Sequence, residues 1–376
     1  MKTPADAIVR PAVRQGGVYR PGTTLEQARR EYGIERIVKL SSNENPLGTS
    51  PRALAALAHL DDLNVYVDNE YRELRAKLAA HLQGGVALEN VIVGHGSNEL
   101  LTLMFETFVD PGQGVIMAVP TFTLFPQNAR RRGAAVIEVP LKDGVHDLDA
   151  MAAMLDARTK LVILCDPNNP TATCVDPDAM ERFVARLPEN VLLVIDQAYR
   201  EFMPAGSVDG IVLAMRRPNT LVYRTLSKAY GLAAMRIGYA VGASDAIAYL
   251  QQVRLPFNVT RASVVAALAA LDDKEFVERS VRVNGEGRAF LTDRFARLGL
   301  FAYPSAANFL AVGVPISADD AARDLLLRGI AVRSAENLGL PGFLRITVGT
   351  PEQNRLLIHV LEELLVEWRI PAGGKN

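Results

Sequence analysis

The sequence predicts an α/β fold: a mostly parallel central sheet with helices on both faces, joined to a smaller α+β domain. Three observations carry that prediction. From about residue 90, short β-branched apolar runs alternate with helical patterns, as expected of strands buried on both faces and linked by crossovers. Polar, glycine- or proline-containing motifs follow directly at the C-terminal ends of several runs, where open α/β sheets bind ligands. After about residue 255 the alternation gives way to long helical stretches with a few further strands.

Taken in order, VIVG (91–94) leads through GHGSNE into the helix-like SNELLTLMFETF. GVIMAVP (114–120), AAVIEVP, KLVILCD, VLLVID and TLVYRTL (220–226) are the next candidate strands. A helical region over 262–298 opens the second part, followed by ANFLAVGV, the helix DDAARDLLLRG, the strand IAVR, the strand FLRITVG and a C-terminal helix. The first 45 or so residues are irregular and proline-containing and read as an arm. The expected divisions are therefore an arm over 1–45 that packs elsewhere, a large domain over 46–255 and a small domain over 256–376.

Composition narrows the functional class. With 376 residues the chain is long for one domain, and its 49% hydrophobic and 22% charged residues suit a soluble globular enzyme. A formal net charge of −1 gives no electrostatic case for a nucleic acid or an anionic membrane partner. Two cysteines, Cys165 and Cys174, fit a reducing, cytoplasmic setting and exclude a disulfide framework or a cysteine-rich zinc site, so no metal is expected. MKTPADAIVRPAVRQ lacks a continuous apolar core, so no secretory signal is expected there. The most apolar helical stretch, ASVVAALAAL, is too short to span a bilayer and is expected to be a buried helix.

The chemistry sits at the strand ends. Lys228, in TLSKAYGLAAMRIGY, lies among small and apolar residues, where an ammonium is costly unless its nitrogen is used. GHGSNE (94–99) can cradle an anion through glycines and free N–H groups at a helix start. Read as a dinucleotide fingerprint it fails: Glu99 stands where the third glycine belongs and Pro120 where the second strand should end in an acid. A plain turn capped by Ser97 explains that stretch equally well by itself. Asp196 in DQAYREF, NNPTA (168–172) and Phe122 are each, taken singly, a turn former or a core residue. Together they match one cofactor. Pyridoxal phosphate needs a lysine for a Schiff base, an acid at its ring nitrogen, a phosphate cradle and commonly an aromatic ring against its face. Lys228, Asp196, the Gly94–Ser97 turn with Arg236, and Phe122 supply that set.

At these motifs the chain resembles the fold-type I pyridoxal-phosphate aminotransferases, in particular their histidinol-phosphate aminotransferase branch. The resemblance runs through VYRPGTTLEQARREYG, LSSNENPLG, YVDNEYRELRAKLA, GHGSNE, PTFTLFP, NNPT, DQAYREF, TLSKAYGLAAMRIGY and FLRITVG, nearly the whole chain. It implies that Lys228 bonds covalently to the cofactor, that Asp196 pairs with its ring nitrogen, and that Asn169 and Tyr199 bond its phenolic oxygen. Phe122 would stack on the ring. Gly96, Ser97, Asn98, Thr225, Ser227 and Arg236 would hold the phosphate, with Tyr66 reaching it from the second subunit of a homodimer. Tyr19, Asn45, Tyr66, Arg333 and Arg345 would face the substrate.

The implied activity is a ping-pong transamination of L-histidinol phosphate with 2-oxoglutarate, a step of histidine biosynthesis. Aromatic amino acid transamination and threonine-phosphate decarboxylation are the alternatives within the same family. A nucleotide-binding oxidoreductase, or a silent binding protein with a structural Lys228, is the alternative outside it. Gln197, Ala172, Ala234 and Val67 stand where the family usually has glutamate, glycine, glycine and proline. None of the four removes a chemical group from the cofactor site.

Overall fold

The computed structural model describes residues 8–15, 30, 33, 34 and 36–368. Its strands are β1 (Val38–Lys39), β2 (Val91–His95), β3 (Gly114–Val119), β4 (Ala135–Pro140), β5 (Thr159–Cys165), β6 (Leu192–Asp196), β7 (Thr220–Thr225), β8 (Ile237–Val241), β9 (Phe309–Gly313), β10 (Ile330–Ala331), β11 (Arg333–Ser334) and β12 (Phe343–Thr347). Seven of them form the central sheet in the order β2-β8-β7-β6-β5-β3-β4. The pairs β3–β4, β3–β5, β5–β6 and β6–β7 are parallel, as the sequence predicts. Strand β8 is antiparallel to both β2 and β7 and was not among the expected strands. Its five residues, IGYAV, follow directly on the lysine motif and carry no hairpin signal of their own. Only the sheet shows that they fill the gap between β2 and β7.

Side-chain alternation places a core on each face of the sheet. Val162 and Leu164 of β5 and Leu193 and Ile195 of β6 enter one cluster. Leu161, Ile163 and Cys165, with Leu192 and Val194, enter the other. The flanking helices start at side-chain caps where the sequence supplies them. Asp147, Asp176 and Thr260 accept the N–H of Ala150, Ala179 and Ser263, each satisfying one orphan donor of a first turn.

The antiparallel sheet β11-β12-β9 forms the small domain with its own cluster around Phe295, Leu310, Val312, Leu344 and Ile346. Two expectations change there. IAVR is not one strand: Ile330–Ala331 pairs in parallel with β1, while Arg333–Ser334 turns to pair with β12. The large core also extends past residue 255, because the helix Arg261–Leu271 contributes Val264, Ala266, Ala267, Ala270 and Leu271 to it. The next helix, Lys274–Arg297, ties the two units together: Val277 and Val281 pack on the large core, Leu291 and Phe295 in the small one. No helix among the described residues is long and apolar enough to cross a membrane.

One buried cation fixes an edge of the large sheet. Arg75, 7% exposed, donates from Nε to the Val91 carbonyl at 2.8 Å and from its two terminal nitrogens to the carbonyls of Glu70 (3.2 Å) and Leu88 (3.1 Å). It clamps the helix Arg72–His81 to the start of β2. Arg75→Met strips three carbonyls of their donor and should lower the unfolding free energy by about 2–4 kcal/mol. Urea denaturation measures this, and a variant within ~0.5 kcal/mol of wild type would show that water serves those carbonyls as well.

Candidate active site

The parallel strands deliver their chemistry to one edge of the sheet. Asn169 follows β5, Asp196 ends β6, and Thr225, Ser227 and Lys228 close and follow β7. The three strands are adjacent and in parallel register, with Cys165 beside Asp196 and Asp196 beside Tyr223, so their ends lie level. Burial then sets the electrostatics. Asp196 is 4% exposed and accepts one hydrogen bond, from the Ala198 N–H at 3.0 Å. Loss of water raises its pKa to about 6, against the pull of that N–H and of the Lys228 ammonium. Lys228 is lowered to about 8, first by burial and then by the nearby Arg345 guanidinium, while Glu44 opposes the shift. Its Nζ lies 5.7 Å from the centre of the Tyr199 ring.

An anion cradle lies where the helix Gly96–Phe108 leaves β2. Gly96 has φ +73°, and a Cβ there would come 2.5 Å from Arg236 Nη2. A Cβ on Gly238 of β8 would overlap the backbone nitrogen of Ser97. Both positions have to be glycine for the guanidinium and the first helical N–H groups to come this close. His95, not Ser97, stands at the N-cap, so Ser97 and Asn98 fall within the first turn. Across from them Thr225 Oγ1 is 2.9 Å from Ser227 Oγ and accepts the Ser227 N–H at 3.1 Å. Arg236 is held by the Ala233 carbonyl at 2.9 Å.

The opposite wall comes from the small domain. Arg345 Nη1 donates to Asn169 Oδ1 at 3.0 Å and Nη2 to the Ser41 carbonyl at 2.9 Å. Arg333 and Arg345 are direct cross-strand partners on β11 and β12, and Arg333 also donates to Asn337 Oδ1 at 3.1 Å. Tyr199, 5% exposed, packs edge-on to Phe309 with ring centres 5.2 Å apart. Phe122 meets Phe125 edge-on at 5.5 Å.

The structure thus brings together Lys228, Asp196, Tyr199, Asn169 and Arg345, with the cradle of Gly96, Ser97, Thr225, Ser227 and Arg236. Two expected residues do not line the pocket of their own chain, and a third lies outside the described residues. Tyr66 is 79% exposed and stacked on Phe257 at 4.5 Å, so it does not enter the pocket of its own chain. Asn45 uses its amide nitrogen on the carbonyls of Lys228 (3.3 Å) and Ala229 (3.0 Å) and on Ser280 Oγ (2.9 Å). It braces the lysine loop instead of facing a substrate. Tyr19 lies outside the described residues. Sequence reasoning missed Asn43, whose Nδ2 donates to the Tyr199 hydroxyl at 3.0 Å. The motif LSSNENPLG contained the signal, but nothing in it told which asparagine turns inward.

Lysine, acid, phenol, amide and cradle are disposed as pyridoxal phosphate requires, and the two glycines leave the room its phosphate needs. The chain belongs to the family of class I and II aminotransferases, whose model matches residues 35–361. More narrowly, it is 44% identical to a histidinol-phosphate aminotransferase of Brevibacillus brevis over 93% of this chain and 96% of that protein. It is equally 44% identical to histidinol-phosphate aminotransferase 2 of Ralstonia nicotianae, over 96% and 98%. Among solved structures, the histidinol-phosphate aminotransferase of Sinorhizobium meliloti in complex with pyridoxal-5'-phosphate superposes with a TM-score of 0.86 at 28% identity, covering 96% of this chain and 98% of that one. An aspartate aminotransferase of Thermus thermophilus matches with a TM-score of 0.82 at 25% identity, covering 95% and 99%. The fold therefore accommodates more than one substrate.

Lys228 and Asp196 make the cofactor-free chain sensitive to pH. Between 3.8 and about 6 the folded chain keeps a proton on Asp196 that the unfolded chain has released, so this group's contribution falls as pH rises and its cost is complete above 6. Between about 8 and 10.5 the unfolded chain keeps a proton on Lys228 that the folded chain has lost; stability therefore rises with pH there, and the cost is complete below 8. Asp196→Asn should stabilise the cofactor-free chain at neutral pH by about 1–3 kcal/mol and remove the acid-side decline, and Lys228→Met should remove the alkaline rise. Denaturation midpoints across pH measure both; variants with the wild-type profile would mean that neither group titrates in the folded chain.

Proposed function

We propose that this chain transfers the amino group of L-histidinol phosphate to 2-oxoglutarate, with pyridoxal 5'-phosphate held at Lys228, as a step of histidine biosynthesis. The observation that carries the reading is the cross-strand pair Arg333 and Arg345, set against half-buried Lys228 and buried Asp196 at the sheet edge. When bound, the cofactor supplies an electron sink for the carbon that loses its proton. Asp196 would pair with the ring nitrogen of the bound cofactor, whose positive charge would restore the carboxylate that burial alone disfavours. Lys228, with a pKa near 8, exchanges a proton readily close to neutral pH, so its freed amine can take the proton from the amine-bearing carbon of the substrate and return it. Asn169 and Tyr199 hold the ring oxygen side, and Ser97, Ser227 and Arg236 hold the phosphate.

Arg333 and Arg345 select the substrate. Planar guanidinium forks bind phosphate or carboxylate through paired, charge-assisted hydrogen bonds. Two of them suit the dianionic phosphate of histidinol phosphate, and the same site can take a carboxylate of glutamate in the other half-reaction. Asn169 and the Ser41 carbonyl hold Arg345 ready in the meantime.

The active form is a homodimer with shared sites. Tyr66 supports this, because it stands 79% exposed and stacked on exposed Phe257, an aromatic pair suited to a second copy. Two free cysteines fit the cytoplasm.

A substrate panel tests the reading. Histidinol phosphate should exceed histidinol in kcat/KM by at least roughly tenfold, since each lost charge-assisted bond is worth about 1.5–3 kcal/mol. A preference for phenylalanine or tyrosine over histidinol phosphate would transfer the assignment to aromatic amino acids. Arg345→Leu should slow both half-reactions in single-turnover measurements, and Arg345→Lys should recover only part because an ammonium cannot bind in a fork. An Arg345→Leu enzyme that keeps wild-type rates with both substrates would remove Arg345 from the site.

Sharing of the site has its own test. Mixing Lys228→Ala chains with Tyr66→Phe chains should give activity above either parent, because some heterodimers then hold one intact site. No recovery after demonstrated subunit exchange would count against Tyr66 acting across the interface.

A further inference from the structure

We propose that Asn43 is a positioning residue that sets the direction of the Tyr199 hydrogen bond, donating to the phenol oxygen so that the phenol proton is left for the ring oxygen of the cofactor. The inference rests on the reading of Tyr199 given above and adds to it a residue and a direction. Asn43 is 2% exposed and lies at φ +54°, a left-handed conformation that asparagine tolerates better than most residues. Its carbonyl accepts from Asn308 Nδ2 at 3.0 Å, which fixes the backbone there.

The orientation of its amide follows from its neighbours. The backbone N–H of Asn43 donates to Thr347 Oγ1 at 2.9 Å. The Thr347 hydroxyl donates its own proton to Asn43 Oδ1 at 3.3 Å. With Oδ1 facing Thr347, Nδ2 faces Tyr199, 3.0 Å from its hydroxyl. An amide nitrogen can only donate, so the phenol oxygen accepts here and its single proton points elsewhere. The ring is buried, and the pocket it borders holds Lys228 Nζ, 5.7 Å from the ring centre. Burial pushes the Tyr199 pKa up to about 12, which keeps the proton on the phenol across the working range.

Thr347 lies two residues beyond Arg345 on β12, and its backbone N–H donates to the Leu40 carbonyl at 2.9 Å. The chain 40–43 therefore lies along the strand that carries the substrate-facing arginine. Seating of that strand against the large domain and the direction of the Tyr199 proton depend on the same asparagine.

The test follows the protonation of bound pyridoxal phosphate by its visible absorbance across pH, with Lys228→Ala as the chromophore control. Tyr199→Phe removes a donor to the ring oxygen and should raise that pKa by about one unit. Asn43→Asp keeps the size of the side chain but replaces the donor with an acceptor that captures the phenol proton, and it should produce the same rise. Added to Tyr199→Phe, it should produce almost no further change, because the two act through one bond. An Asn43→Asp enzyme at the wild-type pKa, or one whose shift adds in full to that of Tyr199→Phe, would overturn the proposal while leaving the site assignment intact. A Tyr199→Phe enzyme with an unchanged spectrum would overturn the role of Tyr199 and this proposal with it. Should Asn43→Asp fail to fold by circular dichroism, Thr347→Val frees Oδ1 so that the amide can turn. A smaller rise in the same direction supports the proposal and an unchanged pKa refutes it.

Discussion

Holding an ammonium beside a buried carboxylate at the end of a parallel sheet is the constraint on which the rest of this protein depends. Neither group is satisfied by the protein alone. Asp196 accepts a single backbone N–H, and Lys228 lies in a field where Arg345 opposes its charge. Their pKa values move toward neutrality because removal of water disfavours both charged forms. A cofactor that offers a cation to Asp196 and takes up the nitrogen of Lys228 relieves both. The strands that hold the pair must then be rigid, and β5, β6 and β7 are buried along almost their whole length.

Around that floor residues 38–43 and the β11-β12-β9 sheet act as one wall. Residues 38–43 pair with β10, hydrogen-bond to β12 and reach Tyr199 of the large domain through Asn43. Arg345 is joined to the same segment at Ser41 and to the large domain at Asn169. The helix Lys274–Arg297 links the two hydrophobic cores behind this wall. Arg345, Asn43 and the packing of the two units therefore share contacts, so a change at one is felt at the others.

The four positions set apart by the resemblance make local contacts of their own. Gln197 donates through Nε2 to the Val208 carbonyl at 2.9 Å and accepts from the Gly210 N–H at 3.1 Å and from Arg224 at 3.2 Å. A carboxylate could not make the first of these bonds, so the amide is matched to the loop that it anchors. Ala172 keeps a left-handed φ of +65° with its methyl fully buried, which combines a backbone cost with a packing gain. Val67 is buried in the large core, and Ala234 is exposed.

Residue order alone determined the fold class and the five parallel strands of the sheet, and it singled out Lys228 and Asp196 as candidates for the site. Lys228 and Asp196 stand at or just beyond the end of a strand whose apolar run is unmistakable, and strand ends in such sheets converge by construction. Tertiary structure decided whatever depends on which way a side chain turns or which strand a short segment joins. The splitting of IAVR between two sheets, the insertion of β8 between β2 and β7, and the extension of the large core past residue 255 arise from pairings between residues distant in the sequence. The segment LSSNENPLG shows the limit most plainly. Asn43 and Asn45 are two residues apart, and only the left-handed turn at Asn43 sends one amide to the phenol of Tyr199 and the other to the backbone of the lysine loop.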